Sequence, residues 1–286
     1  MHSYYKTAIA FCLGLQLTGF NVSFAQQIQV PIKNYRVSIP NLYHLDPVKD
    51  GLTTAAGITL IIAGNLIGNT KTHLTKADLN DPEAFKRIPS FDVRATHQDN
   101  KTFLAASNVL LYTAMALPFT SFIDLRVKGH AETIIAMYFE TLSISTGLYS
   151  IAAGSITRRR PLTYNPDFSD TVRLGKKGKN VQNSFFSGHV TSAAAATFFG
   201  AKVFTDFRPF SKLVPLVWTA AASVPLFVAV ARYKAGKHFP SDVITGYIVG
   251  STVGLLVPTL HKVSNERIVL SPIIGDEKGV SLVYTF

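Results

Sequence analysis

Apolar residues in this chain gather into six long runs, at roughly 51–70, 103–123, 131–156, 188–206, 213–232 and 241–261. Each has the length of a helix of about 20 residues, which is what a bilayer core requires. The runs are rich in Ala, Gly, Ser and Thr, which suits close helix packing in a membrane. That composition suits a tight soluble bundle equally well. The pattern predicts an all-α bundle of six helices, with length and apolarity favouring a membrane-embedded one. No internal repeat is visible.

Polar interruptions qualify the picture. Asn65 lies in the first run, Glu140 in the third and Lys202 in the fourth. An ionisable group at membrane depth is costly unless it faces the bundle or a polar cavity. Glu140 is expected to hydrogen-bond inside the bundle or to touch a pocket from behind. The tail RIVLSPIIGDEKGVSLVYTF changes period, with two β-prone runs flanking a Gly-Asp-Glu-Lys-Gly stretch, and predicts a small C-terminal β-hairpin.

The first 25 residues carry one base, Lys6, then an apolar stretch and Ser23-Phe24-Ala25, the pattern of a cleaved export signal. The expected organisation is a signal peptide over 1–25, an irregular arm over 26–50, a helical domain over 51–262 and the hairpin over 263–286. The expected location is a bacterial cell envelope, either membrane with a periplasm-facing site or periplasm. A cleaved signal with three spanning helices would put the loop 157–187 on the inner side, in conflict with a periplasm-facing site. Lysine and arginine occur on both candidate faces and do not decide between them.

Hydrophobic residues make up 47% of the 286, charged residues 16%, and the mean hydropathy is +0.22, which excludes a disordered chain. The formal net charge of +11 points to anionic lipid head groups or phosphorylated substrates as partners. No nucleic-acid motif accompanies the charge, so nucleic acid is not an expected partner. The single cysteine, Cys12, lies within the expected signal, which leaves no thiol chemistry for the remainder.

Candidate chemistry sits in three stretches at helix ends. SITRRRPLTYNP carries Arg158, Arg159 and Arg160; SFFSGHVTS carries Ser187, Gly188 and His189; ARYKAGKHFPSDV carries Arg232, His238 and Asp242. Arginine keeps its charge and presents a planar fork to phosphate oxygens. Ser187 reads as a helix N-cap, so the amides of Gly188 and His189 can point at an anion. Gly188, without a side chain, permits close backbone approach. His238 precedes a helix started by Pro240, and Asp242 in its first turn is placed to hold one ring nitrogen while the other attacks phosphorus. Singly, each has an ordinary reading: a capped helix start, a solvated arginine run, a dipole-favoured aspartate. Their order at three successive helix ends is what argues for a site.

That order, Arg-Pro, Ser-Gly-His, then Arg-x5-His-x3-Asp, resembles the type 2 phosphatidic acid phosphatase superfamily, which also contains bacterial non-specific acid phosphatases and vanadium haloperoxidases. The motifs cover residues 160–242. The resemblance implies that His238 is a nucleophile forming a phosphohistidine, that Asp242 orients it, and that His189 acts as general acid and then base. It implies that Arg160, Arg232, Ser187 and Gly188 hold the phosphate oxygens, with no metal or cofactor. Two positions depart from the family pattern. Ala153 stands where the first motif has a lysine, with Arg158, Arg159 or a lysine of the Lys176–Lys179 loop as candidate substitutes. Phe186 stands where a proline usually precedes Ser-Gly-His.

The implied activity is hydrolysis of a phosphomonoester or diphosphate, lipid-linked by preference, with membrane lipids as neighbours and a small phosphate ester as the alternative substrate. Alternatives are a soluble broad-specificity acid phosphatase, a vanadium-dependent haloperoxidase and a non-catalytic lipid-binding member. Asp92 and Arg94 are expected to form a local ion pair of structural value only. His97, His130 and His261 have no partner at useful spacing.

Overall fold

The computed structural model describes residues 42–175, 179–263, 267–273 and 279–285. The expected signal peptide, most of the expected arm and the loop lysines Lys176 and Lys177 lie outside those residues.

The long helices are α1 (Pro47–Asn69), α2 (Lys101–Ala116), α3 (Ala131–Ser155), α4 (Gly188–Phe207), α5 (Val214–Lys234) and α6 (Pro240–His261). Helix α1 starts four residues earlier than the apolar run suggested. Asp46 accepts from the amides of Val48 and Lys49, and Pro47 occupies the first turn, where its missing N–H costs nothing. The run at 103–123 does not continue as one α-helix. It gives way at Leu117–Ile123 to a 3-10 segment containing Pro118, which cannot donate to the preceding turn.

Among the described residues, five helical stretches are long and apolar enough to cross a membrane: 47–69, 101–123, 131–155, 214–234 and 240–261. Helix α4, the fourth of the six expected helices, is not among them. Its apolar positions are alanine, phenylalanine and valine, and it carries Lys202 and Asp206. It lies at the centre of the bundle, with Ala193 to Ala196, Val190 and Phe199 fully buried. A helix enclosed by protein needs small side chains rather than lipophilic ones.

The outer helices show the reverse. Tyr112 (71% exposed), Leu216, Phe227, Ile62 and Leu260 (77%) project outward. A water-soluble bundle would not display large apolar side chains on every outer helix. The chain is membrane-embedded. Pro225 within α5 supports the same reading. It removes the hydrogen bond that the Ala221 carbonyl would accept, and the Thr197 hydroxyl of α4 donates to that carbonyl instead, at 2.9 Å. Freed backbone groups in lipid must find such partners.

Two seams of small residues set the helix spacing. On α6, a β-carbon at Gly246, Gly250 or Gly254 would lie 2.7, 2.2 or 2.5 Å from the carbonyl oxygens of Ser187, Thr191 and Ala195 on α4. On α1, a β-carbon at Gly64 would lie 2.2 Å from the Ser150 backbone of α3. Backbones approach this closely only where no side chain intervenes. The first seam runs directly up to Ser187. It brings the N-terminal ends of α4 and α6 together.

The contacts fix direction as well. Asn100, before α2, donates from its amide to the Lys234 carbonyl at the end of α5, and Ser187 N–H donates to the Asp242 carbonyl. The C-terminal ends of α3 and α5 therefore meet the N-terminal ends of α2, α4 and α6. At the other end, His44 N–H donates to the His261 carbonyl and Tyr43 is bridged to Lys262. Described separately, the tail forms a two-stranded antiparallel sheet, β1 (Arg267–Ile273) and β2 (Gly279–Thr285), with Arg267 opposite Thr285.

Gly250→Leu is expected to force α4 and α6 apart at a cost of about 3 kcal/mol, read as a melting temperature lower by about 10 °C for the protein in detergent. Gly51→Ala, where an added β-carbon meets nothing within 4 Å, is the matched control and should leave the melting temperature unchanged or slightly raised. Equal effects of the two would refute the seam.

Candidate active site

The segment after α3 positions the arginines. Arg158 and Arg160 run extended beside residues 181–184, with Arg158 N–H donating to Gln182, Arg160 N–H to Val181 and Ser184 N–H to Arg158. Alternation along this short ladder sends neighbouring side chains to different places. The three arginines therefore do three different things.

Arg158 is locked between two buried carboxylates. Its Nη2 donates to Asp92 Oδ2 at 2.7 Å, and its Nη1 donates to Asp242 Oδ1 at 2.5 Å and Ser241 Oγ at 2.8 Å. The guanidinium also lies 4.4 Å from the centre of the Phe239 ring. Arg159 turns away, toward the Asp78 carbonyl at 2.6 Å and its carboxylate. Neither arginine is available to replace a lysine at Ala153, which corrects that expectation: buried or neighbouring acids already claim both. Asp92 is corrected too, since its partners are Arg158 and Ser241 rather than Arg94.

Arg160 and Arg232 are differently placed. The Nε of each is buried without a hydrogen-bond partner among the described residues, as is the Ser187 hydroxyl. Arg232 makes one long contact, 3.4 Å from Nη1 to the Ser107 hydroxyl. Ser187 caps α4 in position but not by side chain, so its oxygen is not used by the helix. Buried polar groups are almost always paired. Three unpaired groups together match what an anion with several oxygens would satisfy.

His238 is held at this point by the end of α5. Gly236 adopts φ of +63°, its N–H donates to the Tyr233 carbonyl, and Lys237 N–H donates to the Arg232 carbonyl. This pair of bonds is a Schellman cap, which needs a residue at ease in the left-handed region. A β-carbon at Gly236 would also lie 2.2 Å from the Gln98 carbonyl. The cap explains the spacing of Arg232 and His238: one closes the last turn and the other follows the reversal.

The His238 ring is 2% exposed. Its Nδ1 donates to the Ser184 carbonyl at 2.8 Å, because a carbonyl can only accept. Asp242 was expected to hold that nitrogen directly, but its Oδ2 is 3.8 Å away. Oδ2 instead accepts from the Ser184 hydroxyl at 2.6 Å and from Phe239 N–H at 2.9 Å. Asp242 thus fixes Ser184, and Ser184 fixes the imidazole. With Nδ1 protonated, Nε2 carries the lone pair. Burial, then the charges of Arg160 and Arg232, hold His238 well below the usual histidine value, so the ring is neutral at physiological pH.

His189, in the first turn of α4, is half-buried, and its Nε2 lies 3.0 Å from Asn108 Oδ1 on α2. Asn108 was not singled out from sequence; a polar residue inside an apolar run was the available signal. Gly188 is needed for a reason other than anion approach alone: a β-carbon there would lie 2.9 Å from the Tyr149 ring of α3. Ala153 is buried, and the Lys71 ammonium donates to its carbonyl at 2.5 Å and to the Ile156 carbonyl and Asn183 at 2.9 Å. That ammonium caps the end of α3. Half-buried Lys237, beside His238, makes no ion pair among the described residues and feels both Arg160 and Arg232.

Residues 133–266 match the family model described as the PAP2 superfamily. The chain is 30% identical over 110 residues to a lipid A 4′-phosphatase of Porphyromonas gingivalis, covering 38% of this chain and 43% of that protein. It is 29% identical over 132 residues to a lipid A 1-phosphatase of Rhizobium etli, covering 46% and 52% respectively. The chain thus spans about half the length of the curated relatives it matches. Among solved structures, a transmembrane PAP2 type phosphatidylglycerolphosphate phosphatase from Bacillus subtilis is similar at 20% identity over 75% of this chain and 94% of that one, with a TM-score of 0.36. All three motif stretches fall inside the matched segment, residues 133–266, which is similar to the PAP2, or type 2 phosphatidic acid phosphatase, superfamily.

Proposed function

We propose that this protein is a membrane phosphatase that hydrolyses a lipid-linked phosphomonoester or diphosphate through a phosphohistidine on His238. The observation that carries this reading is the buried, unpartnered trio of Arg160 Nε, Arg232 Nε and Ser187 Oγ beside a neutral imidazole. In the proposed reaction, His238 Nε2 attacks phosphorus and the bond to the leaving oxygen breaks. His189 gives that oxygen a proton, so an alcohol or a shorter phosphate departs. Water then attacks phosphorus, His189 takes its proton, and the P–N bond breaks to release inorganic phosphate and restore His238. The arginines and the helix amide at Gly188 stabilise charge on the equatorial oxygens.

A lipid substrate follows from position. The pocket lies at the ends of membrane helices, where head-group phosphates reside, and the two curated relatives carry names of lipid A phosphatases. The periplasm-facing orientation belongs to this proposal; with three candidate spans before residue 157 it does not combine with a cleaved export signal, which is not carried into it.

Arg158 serves as a positioning residue. Its single charge is shared between Asp92 and Asp242, which are both fully buried, and offsets one of their two negative charges. Asp242 is thereby left as an acceptor for Ser184. The charge lost at Ala153 is supplied by Lys237. Burial, with repulsion from Arg160 and Arg232, lowers its ammonium to about 8. It is therefore charged below that pH and neutral above it.

Three outcomes test the reading. His238→Ala should reduce phosphate release from lipid A-type and phosphatidylglycerol phosphate substrates in mixed micelles by at least about 10³-fold. Unchanged turnover would remove His238 as nucleophile, and no release by the unaltered protein from any lipid phosphate would remove the function. Asp92→Asn should lower kcat on the order of 100-fold by loosening Arg158, while Arg159→Ala should change it less than about threefold. Finally, kcat/KM, which reports the free enzyme, should fall along an alkaline limb near pH 8 as Lys237 loses its proton. Lys237→Arg should carry the limb to higher pH, and a limb unmoved by that change would assign the charge elsewhere.

A further inference from the structure

At the end of the bundle opposite His238, three ionisable side chains from three helices converge. Asp50 comes from the first turn of α1, Glu140 from α3 and His261 from the last turn of α6. Sequence spacing gave His261 no partner and placed Glu140 either inside the bundle or behind the pocket. The fold puts both about 28 Å from Asp242, at 1.5 Å per residue along α6.

The His261 ring is oriented by its own helix, with Nδ1 donating to the Val257 carbonyl at 2.8 Å. A metal-bound imidazole usually donates its second nitrogen in this way, which fixes the tautomer and aims the other lone pair. Here Nε2 is aimed at Asp50 Oδ1, 3.1 Å away, and Glu140 Oε2, 3.2 Å away. Neither contact is aligned as a hydrogen bond, and both Nε2 and Glu140 Oε2 are buried without a hydrogen-bond partner among the described residues. The side chains of Glu140 and His261 are more than nine-tenths buried. Asp50 is braced as well, since its other oxygen accepts from Asp46 N–H at 2.7 Å.

We propose that Asp50, Glu140 and His261 form a binding site for a divalent transition metal ion of the zinc class. One donor atom from each lies within 4.8 Å of the others. Ligands at 2.0–2.1 Å from a tetrahedral ion stand about 3.3 Å apart, close to the two observed separations. One imidazole with two carboxylates suits zinc and its first-row neighbours better than magnesium or calcium, which take oxygen only. The ion would balance two carboxylates, one buried and one partly exposed, that otherwise face a lone pair. It would also tie α1, α3 and α6 together where the chain enters and leaves the bundle. Its role is structural and separate from phosphate chemistry.

The test uses the full chain in detergent, stripped with chelator and titrated with Co2+ or Zn2+ alone. One equivalent of Co2+ should give visible d–d absorption that Zn2+ displaces, and saturating Zn2+ should raise the melting temperature by about 5 °C, reversibly with EDTA. Both signals should be lost in His261→Gln and in Asp50→Asn. Asp50 lies in a terminal turn with a side chain 20% exposed, so its variant keeps the test open if His261→Gln fails to fold. Absence of both signals at millimolar metal would overturn the site and leave a protonated imidazole between two carboxylates. Signals unchanged by both substitutions would place the metal elsewhere and equally overturn it.

Discussion

Everything in the pocket depends on how closely α6 lies against α4. The two backbones touch at Gly246, Gly250 and Gly254, where carbonyl oxygens of α4 occupy the space a side chain would need. Because the contact is backbone to backbone, it sets an axial register as well as a distance. Ser187 N–H donating to the Asp242 carbonyl is the final rung of that register. His189 on one helix and His238 before the other are thus brought to the same end without any direct bond between them.

Charge is partitioned within the resulting cluster. Two fully buried carboxylates, Asp92 and Asp242, share the one guanidinium of Arg158, which occupies an oxygen of each. Acids without that partner would draw in Arg160 or Arg232 and weaken affinity for an anion. With Arg158 in place, the other two arginines keep unsatisfied donors.

What sequence made legible was whatever was local. The motif residues sit within a few positions of helix ends, and the end of a helix can be read from its caps and prolines. The spacing of Arg232 and His238 is such a case, since a single Schellman turn produces it. Asp92 and Arg158, 66 residues apart, were not legible. An aspartate two residues from Arg94 offered a nearer partner that the fold does not use. The aspartate–histidine contact failed for a related reason: spacing allowed it, but a hydroxyl and a carbonyl from Ser184 intervened. Helix α4 was not told apart from the lipid-facing helices because an apolar residue counts the same whether it faces lipid or protein. Neither the composition of a run nor its length states what surrounds it.

The bridge between Tyr43 and Lys262 closes the bundle at the end away from His238. Residues 43 and 262 therefore stand together at one end of the helices, with His238 at the other. Inserted either way round, the same helices would keep every contact in the pocket. Which side of a membrane the pocket meets is a property of insertion, separate from the fold.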